Sequence, residues 1–328
     1  KQESQIKQES LSPSSQSVST TSASSKKVLR IGIAFSALDR EPSESGDYRD
    51  PLDAFKLDYF GNDWYSNGVI RGLNQVALQD NLVIELLGTP LDQPILLSRR
   101  IELSSPDVFV CIGPPLRYAS VIGEARRQGI PSVLAMIRAP EIGVPNIYED
   151  NYAGSWDAVH RLYELGHRRI GFVQILTSGG WWSIDRYEGY RKALADHGLE
   201  INEALSLWVP QIVPQDGPDI IRRYLHRQHP TAVIFGCFRA TFYLKELIKN
   251  RELSIPQDLS VITYDQLPLI QHFLGGVQPS TIALPLREVG ETIGRLARII
   301  VEKPKNVPPK TMLPCHFIEG NSTAPYQA

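Results

Sequence analysis

"DNYAGSWDAVHRLYELGHRRIGFV", residues 150–173, reads as a helix, a glycine stop and a strand. Tyr152, Trp156, Val159 and Tyr163 recur at helical spacing and form an expected apolar face. Gly166 is the residue type that ends a helix in the left-handed conformation, and Ile170 to Val173 is the strand that follows. The same order has already run upstream. "VLRIGIAF" (28–35), "LVIELLG" (82–88), "DVFVCIG" (107–113) and "PSVLAMI" (131–137) read as buried strands. "WYSNGVIRGLNQVALQ" (64–79), with Val69, Leu73 and Val76 on one face, and "YASVIGEARRQG" (118–129) read as helices.

Downstream the alternation continues. "DRYEGYRKALADHGL" (185–199) is a helix with Tyr187, Tyr190 and Leu194 in register and a stop at Gly198. "TAVIFGC" (231–237) and "LSVITY" (259–264) are strands, and "RATFYLKELIKNRE" (239–252) is a helix. "LREVGETIGRLARIIVEK" (286–303) is a helix with Val289, Ile293, Leu296 and Ile300 turned inward. Alternating strands and helices imply right-handed crossovers and parallel sheets. There are too many units for one small open sheet, so two doubly wound α/β domains are expected. Ligands in such sheets sit beyond the carboxyl ends of the strands. "IPQDLSVITYDQLP" (255–268) ends its strand on Asp265, which should therefore face a crevice.

The bulk composition narrows the function. The 328 residues are enough for two domains, 42 % are apolar, and the formal net charge is −2. That balance argues against these residues gripping nucleic acid by counterion release. No apolar run reaches the length of a membrane span. Cys111, Cys237 and Cys315 are scattered, odd in number and without metal-ligand spacing, which suits a reducing compartment rather than a disulfide framework. No GxGxxG fingerprint, P-loop, HExxH or GxSxG is present, so no cofactor or metal is expected. The seven histidines are dispersed. His167 follows a helix stop and precedes two arginines, and reads as a cap or surface residue. His160 and His226 fall on solvated helix faces, and His197 at a helix end. No nucleophile, base and orienting acid come together, and an enzyme is not expected.

Two stretches break the α/β pattern. Residues 1–27 are nearly all Ser, Gln, Lys, Thr and Glu and cannot bury enough apolar surface to offset ordering entropy; they read as a disordered Ser-rich linker. Residues 36–62, with "REPSESGDYRDP" at their heart, are long for a compact connection and read as a lid, a binding loop or a disordered insertion. The chain starts at Lys1, and its methionines are Met136 and Met312, so it reads as a fragment or processed product.

The landmarks of the second half carry a resemblance. The segments are 150–173, "RYEGYRKALADHGL" (186–199), "HPTAVIFG" (229–236), 255–268, "PSTIALPLREVGETIGRLA" (279–297) and "LPCHFIEGNSTAP" (313–325). In this order and at these spacings the chain resembles the effector-binding core of LacI/GalR-type bacterial transcription regulators, from about Val28 to Pro325 and most weakly over 36–62. The resemblance implies a periplasmic-binding-protein-like type I fold: two doubly wound parallel-sheet lobes joined by three crossovers, with a small molecule in the cleft. The lobes it implies are 28–165 plus 286–304 and 166–285 plus 305–328. It also implies a cytoplasmic protein and a homodimer. The DNA-binding head is expected to be absent from this chain, since residues 1–27 resemble neither a helix-turn-helix nor a hinge helix. A GntR-type winged helix joined flexibly would suit the Ser-rich stretch better.

Position by position, Arg186 matches the arginine of the family's "RxxGY" segment and Asp265 the aspartate closing its "SVxGYD" strand. A guanidinium presents a rigid fork of donors and a carboxylate accepts two hydroxyls, a pairing suited to sugars. Without a ligand role, Arg186 would pair with Glu188 and Asp265 would cap the next turn. Trp181 and Trp182 precede Arg186 in "GGWWSIDR", a loop by expectation, and one indole would stack on a sugar or heterocycle. Tyr65 and Ser66 match the family's aromatic start of the first helix, and Trp64 adds a candidate. Asp150 and Asn151 match its "DN", where Asn151 is either a helix cap or a ligand contact.

Two departures make the cleft more apolar: Cys237–Phe238 stand where the family has "ND", and Leu284 where it has glutamine. The expected ligand is a small polar molecule, a carbohydrate first and a nucleobase or sugar acid second. The alternative function is an extracytoplasmic sugar-binding protein of an importer.

Overall fold

The computed structural model describes residues 27–35, 59–87, 94–113, 115–175, 180–209 and 216–327, without the side chains of 35, 59–63, 94, 115–118 and 269. The expected linker, save for its last residue, and the insertion up to residue 58 lie outside the described residues.

Two six-stranded sheets carry the molecule. The first holds β1 (Leu29–Phe35), β2 (Leu82–Leu86), β3 (Val108–Ile112), β4 (Ser132–Ala135), β5 (Asn146–Asp150) and β11 (Lys310–Pro314), in the order β11-β5-β4-β3-β1-β2. Its paired strands are parallel. The second holds β6 (Ile170–Ile175), β7 (Ser206–Val209), β8 (Ala232–Phe235), β9 (Ser260–Tyr264), β10 (Ser280–Ala283) and β12 (His316–Ile318), in the order β12-β10-β9-β8-β6-β7. Here only β12 runs antiparallel. β3, β4, β6, β8, β9 and β10 are buried along their whole length, as strands covered on both faces must be.

The first sheet is flanked by α1 (Tyr59–Asp80), α2 (Pro94–Ser104) and α3 (Pro115–Arg127). The second goes with α4 (Asn151–Glu164), α5 (Trp181–Asp196), α6 (Gly217–Gln228), α7 (Leu244–Lys249) and α8 (Pro268–Phe273). The last helix, α9 (Leu286–Glu302), returns to the first lobe and lies against α1. Val69, Leu73 and Val76 face Val289 and Ile293 in one apolar cluster. Glycine sets that spacing: a Cβ on Gly72 would stand 1.9 Å from the Arg287 carbonyl oxygen, and one on Gly290 1.9 Å from that of Val69.

Lobe membership differs from the expected boundaries in two places. The resemblance places α4 in the first lobe through residue 165, but it packs on α5 of the second: a Cβ on Gly189 would meet the Tyr152 carbonyl at 2.1 Å. Ser155 of the same helix shares a 2.8 Å hydroxyl contact with Tyr264 of β9 in the second sheet. The first crossing therefore falls at Asp150–Asn151. The resemblance places residues 305–328 in the second lobe, but β11 pairs with β5, Pro314 opposite Asp150. The last crossing falls at Cys315. His316 then pairs with Ala283, so the three crossings run side by side at the seam between the lobes.

Three local expectations are also corrected. The buried face of α4 is Asn151, Gly154, Ser155, Ala158, Val159 and Leu162, while Tyr152 is 40 % exposed. Residues 239–252 do not form one helix but a 3-10 turn, Phe238–Tyr243, followed by the short α7. His167 is buried, its ring nitrogens within 3.0 Å of Thr231 Oγ1 and the Ala324 carbonyl.

The contact between α1 and α9 gives a direct test. Gly72→Ala and Gly290→Ala must each push the two helices apart, and overpacking of this kind costs about 1–3 kcal/mol. Urea unfolding should show that loss for each variant, while Gly123→Ala in α3, where a Cβ meets nothing nearer than the Arg127 guanidinium end at 4.0 Å, should not.

Candidate functional site

The crossings and the carboxyl ends of the second-lobe strands converge on Arg186. It lies in the second turn of α5, because the helix begins at Trp181; the two tryptophans expected in a loop are its first residues. This places the guanidinium under the helix, where it is buried. Nε donates to Asn151 Oδ1 at 2.7 Å, and Nη1 donates to the Gly236 carbonyl at 2.6 Å. The Tyr264 ring lies 3.8 Å from the guanidinium carbon and the Trp182 ring 4.9 Å. Glu188, the surface alternative, pairs instead with Arg191.

Asp265 supplies the countercharge, with Oδ1 3.9 Å from Arg186 Nη2. It is buried, and its backbone has φ of +71°, the left-handed region that a non-glycine residue enters at a cost of about 1 kcal/mol. That turn carries the carboxylate off the end of β9, and its oxygen accepts a 2.8 Å hydrogen bond from the Tyr65 hydroxyl. It does not cap the next helix, whose N-cap is Leu267 with no side-chain bond. Tyr65 belongs to α1 in the first lobe, so this bond spans the cleft.

Asn151 and Asp150 divide the roles left open by the sequence. Asp150 caps α4 through the Ala153 amide at 2.9 Å. Asn151 is buried and polar on both sides: Oδ1 accepts from Arg186, and Nδ2 donates to Glu149 Oε1 at 2.9 Å. A relay of Glu149, Asn151, Arg186, Asp265 and Tyr65 thus starts and ends in the first lobe and passes through the second.

The remaining candidates divide. Trp182 joins the cluster through its contact with Arg186, and Cys237 is buried beside it. Trp64 stands edge-on to Tyr65 with centroids 5.1 Å apart. Phe238 packs edge-on against Phe242 in the apolar core of the second lobe. Leu284 is buried at the second crossing.

Sequence reasoning missed three polar groups near Arg186. Glu149 Oε2, Gln174 Nε2 and Ser183 Oγ are buried without a hydrogen-bond partner. Gln174 borders Gly236, since a Cβ there would meet Gln174 Cδ at 3.3 Å, and Ser183 is one helical turn before Arg186. The available signal was a polar residue inside an apolar strand, in "NIYED" and "IGFVQI".

Electrostatics follow from burial. Burial raises Asp265 above the usual aspartate range, against the pull of Arg186 and the Tyr65 hydrogen bond. Burial also raises Glu149, opposed by its hydrogen bonds and Arg186. Burial works against the charge on Arg186, but Asp265 and its other neighbours outweigh it and hold the cation firmly protonated. Burial and the Asp265 charge push the Cys237 thiol up, so it stands as a neutral thiol. Among the described residues no cluster of three or more His, Cys, Asp or Glu side chains suits a metal ion.

A cavity of about 960 Å³ lies elsewhere, at the amino ends of β6, β8 and β9. Its walls include Arg222, His226, His229, Glu252 and Tyr326. There Arg222 is engaged by Glu252 and Asp219, and the His167 nitrogens by Thr231 and Ala324. The Arg186 cluster is the better candidate on chemistry.

Fold and site together define an α/β protein of two lobes with a buried polar centre at their seam. The periplasmic binding protein-like domain family matches residues 159–323, and the chain belongs to that family. LacI family regulators are among the solved structures whose fold it shares. The HTH-type transcriptional repressor CytR of Escherichia coli (strain K12) is 28 % identical over 239 residues, 70 % of this chain and 66 % of that repressor. The match therefore spans slightly less than two thirds of the relative. Among solved structures, a LacI family transcriptional regulator from Enterococcus faecium with bound ribose superposes with a TM-score of 0.66, at 22 % identity, over 91 % of this chain and all of that one. The transcriptional regulator CelR in complex with cellobiose also gives 0.66, at 20 % identity, over 89 % of this chain and 84 % of its own.

Glu149 yields a pH-dependent prediction. A carboxyl raised in the folded state contributes stability that is complete below its unfolded value and is lost as pH rises through the folded value. Glu149→Gln removes that loss. The variant should be more stable than the parent at about pH 7.5, and the advantage should shrink at about pH 4. Urea unfolding at both values tests it; an equal difference at both would contradict the ionisation argument.

Proposed function

We propose that the chain is the effector-binding and dimerisation core of a bacterial transcription regulator acting in the cytoplasm. In this reading it binds a small polar effector between its lobes and does no chemistry on it. DNA is contacted through a separate head, and the first lobe meets its copy in a homodimer. The observation that carries the reading is the buried Arg186–Asp265 pair at the seam of the lobes, with Tyr65 reaching Asp265 from the opposite lobe. A ligand entering there exchanges the Tyr65 bond for its own hydroxyls. The ribose and cellobiose complexes of similar regulators support a carbohydrate as the first class to test. Arg186, Asp265, Tyr65, Asn151 and Trp182 are proposed to touch it, with Trp64, Cys237, Phe238 and Asp150 bordering them.

The test is thermal unfolding against D-ribose, cellobiose, sugar acids and nucleobases. A ligand at about a hundred times its Kd adds about 2.7 kcal/mol, which moves Tm by roughly 5–10 °C at the 2–4 °C per kcal/mol usual for domains of about 150–250 residues. A sugar is expected to produce the shift in the parent, and Asp265→Asn and Arg186→Lys should each abolish it. Variants that respond like the parent would place the ligand elsewhere. A shift given only by nucleobases would overturn the carbohydrate assignment.

A further inference from the structure

A second set of contacts joins the lobes immediately outside the Arg186 centre. Arg138 lies in the loop between β4 and β5 of the first lobe, two residues after Met136, whose φ is +58°. Its Nη1 donates to Asp185 Oδ2 of α5 at 2.5 Å, and its guanidinium carbon lies 5.0 Å from the Trp181 ring. Trp181 in turn stands edge-on to Tyr148 of β5, with centroids 5.5 Å apart. Arg138 and Tyr148 belong to the first lobe, and Trp181 and Asp185 to the second.

The arrangement is interleaved with the inner site. Tyr148 precedes Glu149, Trp181 precedes Trp182, and Asp185 precedes Arg186. On each segment one residue turns to the buried centre and its neighbour to the rim. The rim is wetter: the side chains of Arg138 and Asp185 are 39 % and 22 % exposed, against 3 % and 2 % for Arg186 and Asp265.

We propose that Arg138, Asp185, Trp181 and Tyr148 form an interlobe clasp that holds the cleft shut over the Arg186 site, making them positioning residues for effector binding. The inference rests on the effector-binding reading of the cleft. The clasp makes its contacts across the seam, so opening the lobes breaks them all. A half-exposed ion pair and a cation–π contact are each weak, but they act on an equilibrium between open and closed forms that small energies shift. Losing them should weaken effector binding roughly three- to tenfold.

The decisive comparison needs no effector. Small-angle scattering would be recorded on the full chain, on Arg138→Glu, and on the swapped pair Arg138→Asp with Asp185→Arg. The clasp requires a larger radius of gyration for Arg138→Glu, a return to the parent value in the swapped pair, and an unchanged unfolding midpoint. Equal radii in all three proteins would overturn it. So would a swapped pair as open as the single variant, or a lowered midpoint with no change in radius, which marks a merely structural contact. A parent that ignores every sugar refutes the carbohydrate reading by a separate result and leaves the scattering to be judged alone.

Discussion

The buried guanidinium of Arg186 is the constraint on which the rest of the site depends. A cation removed from water must find both hydrogen-bond acceptors and an opposite charge, or the cost is several kcal/mol. Here the partners come from segments far apart in the chain: Asn151 at the first crossing, the Gly236 carbonyl after β8, and Tyr264 and Asp265 at the end of β9. Satisfying one side chain therefore brings the strand ends of the second lobe into register with the seam. Tyr65 extends the arrangement into the first lobe.

The side-by-side crossings give that centre its mechanical meaning. Asp150 pairs with Pro314, and Ala283 with His316, so the three connections form one narrow strip. Lobes joined along a strip can hinge with little change inside either sheet. A ligand biases such a hinge only through contacts that differ between open and closed forms. In the proposed hinge the Tyr65–Asp265 bond is the contact to watch, because it has one end in the first lobe and the other in the second.

The strand–helix alternation was legible because the longer apolar strands and amphipathic helices leave distinct periods in the sequence, whereas short elements such as β5, β7, β10, β11, β12 and α8 do not. Arg186 and Asp265 were legible as motif positions at a helix start and a strand exit. Other features were not. Tyr152, Trp156 and Tyr163 mimic a core face at helical spacing, yet aromatic side chains also lie along half-exposed surfaces. The true inner face of α4 is built from small residues, Gly154, Ser155 and Ala158, which close packing against α5 demands. β11 and β12 are separated by one residue and belong to different sheets, and no local pattern encodes which neighbour each strand will find. Glu149 shares the strand face of buried Ile147, but a carboxylate in so short a strand does not by itself announce burial; the tertiary arrangement supplies it.

The most direct test of the central claim is hydrogen–deuterium exchange with and without the sugar that stabilises the parent best. The account predicts protection on both sides of the seam, in the amides around Tyr65 and Glu149 of the first lobe and around Arg186, Gly236 and Asp265 of the second. Protection confined to the far pole, around His226, His229 and Pro256, would contradict it and assign the ligand to the cavity there.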